Sequence, residues 1–284
     1  LKKNIAGRKF LDSPVVLQAE TQKRKPMKTP ARHPKSFYAI VAVLVLLGGC
    51  KKEDVTTDTG STTTESVPAV YQKIYGATDM YVDGDYIVIK TTGVPDHKSP
   101  YFLNTQWEST MWIDDTRPGF NQAPGNKVAS FNYTFRIPKN PVAASTHTPL
   151  SAATIGVAIN GVPFYNQYQA QNQLITSSSG EYSSFDLYGG HPTPFNEYHY
   201  HIEPNYLTST KGSSALMGFM LDGFPIYGPV ENSVTLTSAD LDAYHGHTCA
   251  TADYPNGIYH YHITSDIPYI NGNGYYGTQG TWSH

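Results

Sequence analysis

The chain has 284 residues, with 20 Lys and Arg against 23 Asp and Glu for a formal net charge of −3, and it holds two cysteines. A single pair of cysteines, one of them near the N-terminus, excludes a disulfide framework, so stability has to come from packing, helped by any bound metal. Residues 1–50 carry ten of the 20 basic and two of the 23 acidic residues, which leaves the remainder at 10 − 21 = −11. A surface of that sign repels phosphate backbones and attracts cations, which argues against a nucleic-acid partner.

In chain order, residues 1–26 are basic and show no apolar periodicity, so they are not expected in the mature protein, and Met27 is the natural start. Phe37 to Leu47 is an apolar run behind Lys28, Arg32 and Lys35. It is too short for a membrane-spanning helix, which needs ~20 residues, and has the length of a signal-peptide core. It ends in Leu47-Gly48-Gly49-Cys50, which resembles the lipobox of bacterial lipoproteins. Residues 27–49 are then a lipoprotein signal peptide and Cys50 is the lipidated N-terminus. The following Lys51-Lys52-Glu53-Asp54 is either a solvated charge run or, by resemblance, the signal that sends Bacteroidetes lipoproteins to the outer face of the outer membrane. Val55 to Val67 is rich in Thr and Ser, so residues 50–70 read as a tether. The expected address is outside the cytoplasm: anchored by lipid alone to the outer membrane, facing the periplasm or the cell surface.

Residues 71–284 are expected to form one mainly β domain, sandwich-like or barrel-like. Short β-branched and aromatic runs, among them Tyr86 to Ile89, Phe131 to Phe135 and Ile155 to Ile159, are separated by turn residues. Asp83-Gly84, Asn160-Gly161 and Asp222-Gly223 are dipeptides that suit two-residue type I′ hairpins. Ser238 to Ala243 reads as a short helix with Ser238 as N-cap.

The domain contains an internal repeat. Ile155 to Tyr165 (IGVAINGVPFY) matches Met217 to Tyr227 (MGFMLDGFPIY), each pair 62 apart (218 − 156). Further on, Phe185 to His191 matches Leu241 to His247, and Tyr198-His199-Tyr200-His201 matches Tyr259-His260-Tyr261-His262. The repeat units, about 155–202 and 217–263, thus each carry one Gly-His and one Tyr-His-Tyr-His.

Alternation along a strand puts His199 and His201 on one face, about 7 Å apart along the backbone, and the tyrosines on the other. With His191 they place three imidazoles around one point, and His247, His260 and His262 repeat the arrangement. Three nitrogen ligands leave a coordination position open, and imidazole donors suit a transition metal, copper or zinc, rather than Mg or Ca. The alternative is an aromatic strand whose histidines hydrogen-bond to backbone or carboxylate. Asp186 and Asp242, also matched, are candidates to orient the imidazoles by accepting their second ring N–H, or to cap turns. His245 and Cys249 flank His247 and could add ligands, but the first unit has no counterpart to either. Asp222, where the first copy has Asn160, is a candidate general base or simply a turn residue.

These residues resemble the bacterial YHYH-domain proteins, through Gly93-Val94-Pro95-Asp96-His97, Ile159 to Phe164, Gly189-Gly190-His191-Pro192, both Tyr-His-Tyr-His strands and Asp222 to Pro229. The resemblance spans roughly Asp83 to Gly277 and adds His97 as a site candidate. Relatives often have a cysteine near the first Gly-His; Tyr188 stands there in this chain, so a disulfide some relatives use is not carried over. The resemblance implies a domain but no reaction. Three functions stay open: a surface lipoprotein that captures copper or zinc, a metalloenzyme acting on an extracellular substrate, and an adhesion or glycan-binding β-sandwich whose histidines are structural.

Overall fold

The computed structural model describes residues 65–150 and 153–284. The signal segment 27–49, Cys50, the Lys51 to Asp54 run and most of the tether lie outside the described residues. In chain order the strands are β1 (Ala77–Asp83), β2 (Tyr86–Thr91), β3 (Tyr133–Pro138), β4 (Thr154–Ala158), β5 (Pro163–Tyr165), β6 (Tyr168–Gln169), β7 (Gln173–Leu174) and β8 (Gly190–Pro192). They continue as β9 (Tyr198–Tyr200), β10 (Leu216–Met220), β11 (Pro225–Tyr227), β12 (Val230–Glu231), β13 (Val234–Thr235), β14 (Gly246–Cys249), β15 (Ile258–His262) and β16 (Thr281–Ser283). Among the described residues, which are mainly β, three short α-helices intervene, α1 (Glu108–Met111), α2 (Gly180–Ser183) and α3 (Asn205–Lys211).

An eight-stranded sheet runs in the order β14-β15-β11-β10-β4-β5-β9-β8, and its order is a palindrome of the duplication. The two copies meet at β4 and β10, which pair antiparallel with Val157 opposite Phe219. Those two residues are repeat equivalents (157 + 62 = 219), and equivalent residues face each other only where a two-fold axis passes between them. The surrounding bonds obey the same symmetry: Ile159 N–H donates to the Met217 carbonyl at 2.9 Å and Leu221 N–H to the Ile155 carbonyl at 2.8 Å. In each copy the hairpin is followed by a parallel neighbour, Phe164 opposite Tyr200 and Ile226 opposite Tyr261. The sheet is open, ending in β8 and β14, so among the described residues the barrel alternative does not hold.

The central strands are buried along their whole length, β4 and β10 alike, because both faces are covered. A second, antiparallel sheet in the order β1-β2-β3-β16 turns Ile87, Ile89, Phe135 and Ile137 into the same apolar core. Burying such side chains contributes ~1.5–3 kcal/mol each before entropy is counted. Tyr71, in a 3₁₀ turn ahead of β1, closes the core with its ring 4.5 Å from that of Phe219.

The hairpins are in place, but none has the expected turn: in the first, Asp83 pairs with Tyr86, so Gly84 and Asp85 form the loop and Gly84 alone takes positive φ. The other two are alike. Gly161 N–H bonds the Ala158 carbonyl at 2.8 Å and Gly223 N–H the Met220 carbonyl at 2.9 Å. Only the glycines take positive φ, +84° in both. These are three-residue loops with glycine last, which leaves Asn160 and Asp222 free to aim inward. The short helix also shifts: it is a 3₁₀ turn over Ser238–Asp240 capped by Thr237, whose N–H donates to Asp240 Oδ2 at 2.9 Å. Leu241 returns to extended backbone because Asp242 is committed to the next turn.

Candidate metal centres

Each repeat brings a Gly-His strand antiparallel to a Tyr-His-Tyr-His strand, β8 on β9 and β14 on β15, with His191 opposite His199 and His247 opposite His260. The glycine of each Gly-His is required by close approach. A Cβ at Gly190 would lie 2.5 Å from the Tyr198 hydroxyl, and one at Gly246 2.5 Å from that of Tyr259. The same hydroxyls are anchored by the matched aspartates. Tyr198 donates to Asp186 Oδ2 at 2.7 Å, and Tyr259 to Asp242 Oδ1 at 2.9 Å. Each aspartate also accepts the turn amide two residues on, Tyr188 or Tyr244, at 2.9 Å. Turn, aspartate and tyrosine thereby fix the strand so that its histidines face the opposite way.

On that face the first centre gathers Glu181, His191, His199 and His201, whose ligand atoms all lie within 4.8 Å of one another. His199 Nε2 and His201 Nε2 are 2.9 Å apart, and His191 Nε2 is 3.1 Å from Glu181 Oε1. The second centre gathers Glu231, His247, Cys249 and His260 within the same limit. There His247 Nε2 and His260 Nε2 are 3.1 Å apart, with Glu231 oxygens 3.1 and 3.2 Å from them. His262 joins this group, its ring centroid 5.1 Å from that of His247 and 4.9 Å from that of His260.

The hydrogen bonds assign the tautomers. His199 Nδ1 faces the Glu197 carbonyl at 2.9 Å and His201 Nδ1 the Asn166 carbonyl at 2.5 Å. A carbonyl only accepts, so each Nδ1 carries the proton and each Nε2 is a bare lone pair. His191 Nδ1 meets Ser184 Oγ at 2.8 Å, and that hydroxyl spends its own hydrogen on the Glu181 carbonyl, so His191 Nδ1 carries a proton as well. In the second copy His260 Nδ1 donates to the Ile258 carbonyl and His262 Nδ1 to the Gly228 carbonyl, at 3.0 and 2.8 Å. His262 Nε2, buried, has no hydrogen-bond partner.

Protonation does not relieve the crowded lone pairs at neutral pH. Burial, reinforced by His191 and His201, holds His199 well below the usual histidine range, and burial with His191 lowers His201 to about 4. Burial also lowers His260, and with His260 and His247 it lowers His262 to about 4. The carboxylates go the other way. Burial works to raise Glu181, but His191 and His201 outweigh it and hold it below the usual range, as Cys249 and the three histidines do for Glu231. Burial and the Glu231 carboxylate push the Cys249 thiol up to about 11. Bare imidazole nitrogens beside an ionised carboxylate are a donor set that could hold a transition-metal cation.

Of the residues singled out in the sequence, His191, His199, His201, His247, His260 and His262 come together as two triads. Asp186 and Asp242 hold tyrosines and turns, while backbone carbonyls and Ser184 take the Nδ1–H groups of His191, His199, His201, His260 and His262. Asp222 is displaced from the base role by geometry. It is buried on the tyrosine face of β15 and accepts from Tyr261, Gly277 N–H and Phe224 N–H. His97 is on the tyrosine face too, its Nε2 2.9 Å from the Tyr200 hydroxyl, and His245 Nε2 meets Thr264 Oγ1 at 3.0 Å. Sequence reasoning missed Glu181 and Glu231. They do not correspond in the repeat, since the counterpart of Glu231 is Gln169 (231 − 62), and Glu181 arrives instead on α2. Each triad therefore meets a carboxylate that the duplication did not supply.

Such a fold and site define a mainly β domain with two duplicated histidine triads, each closed by a glutamate. Residues 134–236 and 230–274 match the family model described as YHYH protein. The chain belongs to the YHYH-domain family through these residues. No match was found among curated proteins or among solved structures.

Proposed function

We propose that this protein binds two transition-metal ions, copper or zinc, one on each repeat unit, and that it does so as an exported, lipid-anchored capture protein. The observation that supports this reading is the convergence of the bare Nε2 atoms of His199 and His201 at 2.9 Å in one copy, and of His247 Nε2 with the bare Nε2 of His260 at 3.1 Å in the other, each group beside a glutamate. Two lone pairs as close as those of His199 and His201 repel unless a cation lies between them, and ligand nitrogens ~2.0–2.1 Å from a shared ion stand ~2.9 Å apart at a right angle and ~3.4 Å apart at the tetrahedral angle, an interval that holds both pairs. His199, His201 and His191 with Glu181 would hold one ion; His247, His260 and His262 with Glu231 would hold the other. The carbonyl-bound N–H groups keep the rings oriented and electron-rich. Elemental analysis of protein purified without an affinity tag tests the reading: two ions per chain are expected, and protein that is empty and cannot be loaded returns the histidines to a structural role in an adhesion or glycan-binding module.

A catalytic role is favoured by one feature, a cavity of about 420 Å³ in front of the first centre, lined by His191, His199, His201, Glu181, Tyr165 and Asn166 among others. A small extracellular molecule would reach the ion there. Turnover lost in His199→Ala but kept in His260→Ala would assign catalysis to the first centre alone.

The export part of the reading rests on Leu47-Gly48-Gly49-Cys50 and the Thr/Ser-rich tether. Labelled palmitate should enter the wild type and not Cys50→Ser; label in the serine variant refutes lipidation at this residue.

A further inference from the structure

The two centres differ at one corner. Cys249 lies two residues after His247 on β14, so its side chain leaves the same face of the strand. Its counterpart in the first copy is Thr193, by the same offset that relates His247 to His191 (247 − 191 = 56, 249 − 193 = 56). The Thr193 hydroxyl is taken up by Glu197, donating to its Oε2 at 2.9 Å. The Cys249 thiol turns inward: Sγ is 2.9 Å from Glu231 Oε1 and 4.0 Å from His260 Nε2. A second, independent feature points to a ligand at the same place. His262 Nε2 is buried and without a hydrogen-bond partner, 3.9 Å from the same Glu231 oxygen that the thiol addresses.

We propose that the second centre is a thiolate site, in which Cys249 Sγ joins His247, His260 and His262 as a ligand and makes this centre the one that selects thiophilic ions such as Cu(I), Cd(II) and Zn(II). This rests on the metal-binding reading above. The first centre, with imidazole and carboxylate donors only, takes borderline ions without that preference. The step is a ligand exchange with no change of oxidation state. The Cys249 S–H bond breaks, its proton passes to Glu231, which already accepts it, and on to solvent, and one sulfur–metal bond forms. Glu231 then balances the charge of the site or yields its place to the sulfur. The centres are thus a soft and a borderline compartment on one chain, produced from a symmetric duplication by exchanging a hydroxyl for a thiol.

Cobalt(II) is the probe. Full-length protein titrated with Co(II) should show ligand-field bands for two bound ions and a thiolate-to-cobalt charge-transfer band in the near ultraviolet for one of them. The charge-transfer band should persist in His199→Ala and vanish in Cys249→Ser, which still binds cobalt at both centres and shows an unchanged circular dichroism spectrum. In competition, Cys249→Ser should weaken Cd(II) binding at the second centre by at least ~10-fold, the low end of what disturbing even an indirect partner of a ligand does, and leave the first centre alone. Two cobalt ions bound without any charge-transfer band, or a band that survives in Cys249→Ser, overturns the thiolate assignment while leaving metal binding intact. No cobalt bound at either centre overturns the metal reading and this inference with it.

Discussion

Acid should destabilise the metal-free protein in a defined window. His201 and His262 are buried neutral, each lowered to about 4 in the folded chain by burial and neighbouring histidines. The unfolded reference is about 6.5, so the unfolded state takes up protons first as the pH falls, and stability is full above ~6.5 and drains away toward 4. At pH ~5 each of the two loses on the order of 2 kcal/mol relative to neutral pH, ~4 together. Asp222 opposes them. Burial, outweighing the hydrogen bonds from Tyr261 and the Gly277 and Phe224 amides, raises it to about 6, so the folded state binds its proton first and gains ~1 kcal/mol over the same interval. These two histidines outweigh Asp222 by roughly 3 kcal/mol, and His245, which burial also lowers to about 4, adds on the order of 2 kcal/mol more. Urea unfolding of chelator-treated protein at pH ~7.5 and ~5 measures the difference, and His262→Gln should remove ~2 kcal/mol of it. Asp222→Asn, lacking the opposing proton uptake, should show a larger acid loss by ~1 kcal/mol. Equal unfolding free energies at the two pH values would mean that the imidazoles are not held neutral, and the lone-pair argument for the centres would fall with them.

Chelation at neutral pH should lower the melting temperature of the native protein by several degrees, since an ion at a hundredfold excess over its dissociation constant stabilises by ~2.7 kcal/mol. His199→Ala and His260→Ala should each release one ion, while His284→Ala, whose ring packs on Tyr133 and Trp282, should retain both. Asp186→Ala strands the Tyr198 and Ser99 hydroxyls that donate to it, and should destabilise by ~3 kcal/mol in urea and weaken the first centre more than the second. Gly246→Ala forces a methyl to within 2.4 Å of the His260 carbonyl and 2.5 Å of the Tyr259 hydroxyl, for a loss of ~1–3 kcal/mol and a lower affinity at the second centre. A wild-type melting temperature in that variant would show that the Gly-His glycine is not dictated by the tyrosine above it.

The triads were legible in the sequence because histidine, glycine and tyrosine recur at matched positions, and strand alternation alone then sorts them onto two faces. The two-fold packing follows from the same repeat, since Val157 and Phe219 are equivalents that also pair. The glutamates were not legible. Gln169 occupies the position that corresponds to Glu231, and Thr237 the one that corresponds to Glu181 (237 − 181 = 56), so self-comparison passes over both. Cys249 was discounted for the same reason, its partner being a threonine. The tyrosine face misled in the opposite direction. Asp222 and His97 carry reactive groups, yet they serve the hydroxyls of Tyr261 and Tyr200, a pairing that depends on a hairpin turn whose geometry the Asn-Gly and Asp-Gly dipeptides did not disclose.

The palindromic sheet also sets the separation of the two centres. Five strand steps lie between β9 and β15, which at the ordinary spacing of neighbouring strands is about 24 Å. That exceeds the ~8 Å over which charge is felt through physiological salt. Ions held at the two centres would therefore be mononuclear, out of reach of any shared bridging atom. Chemistry that needs a metal pair would have to borrow its second ion from another molecule.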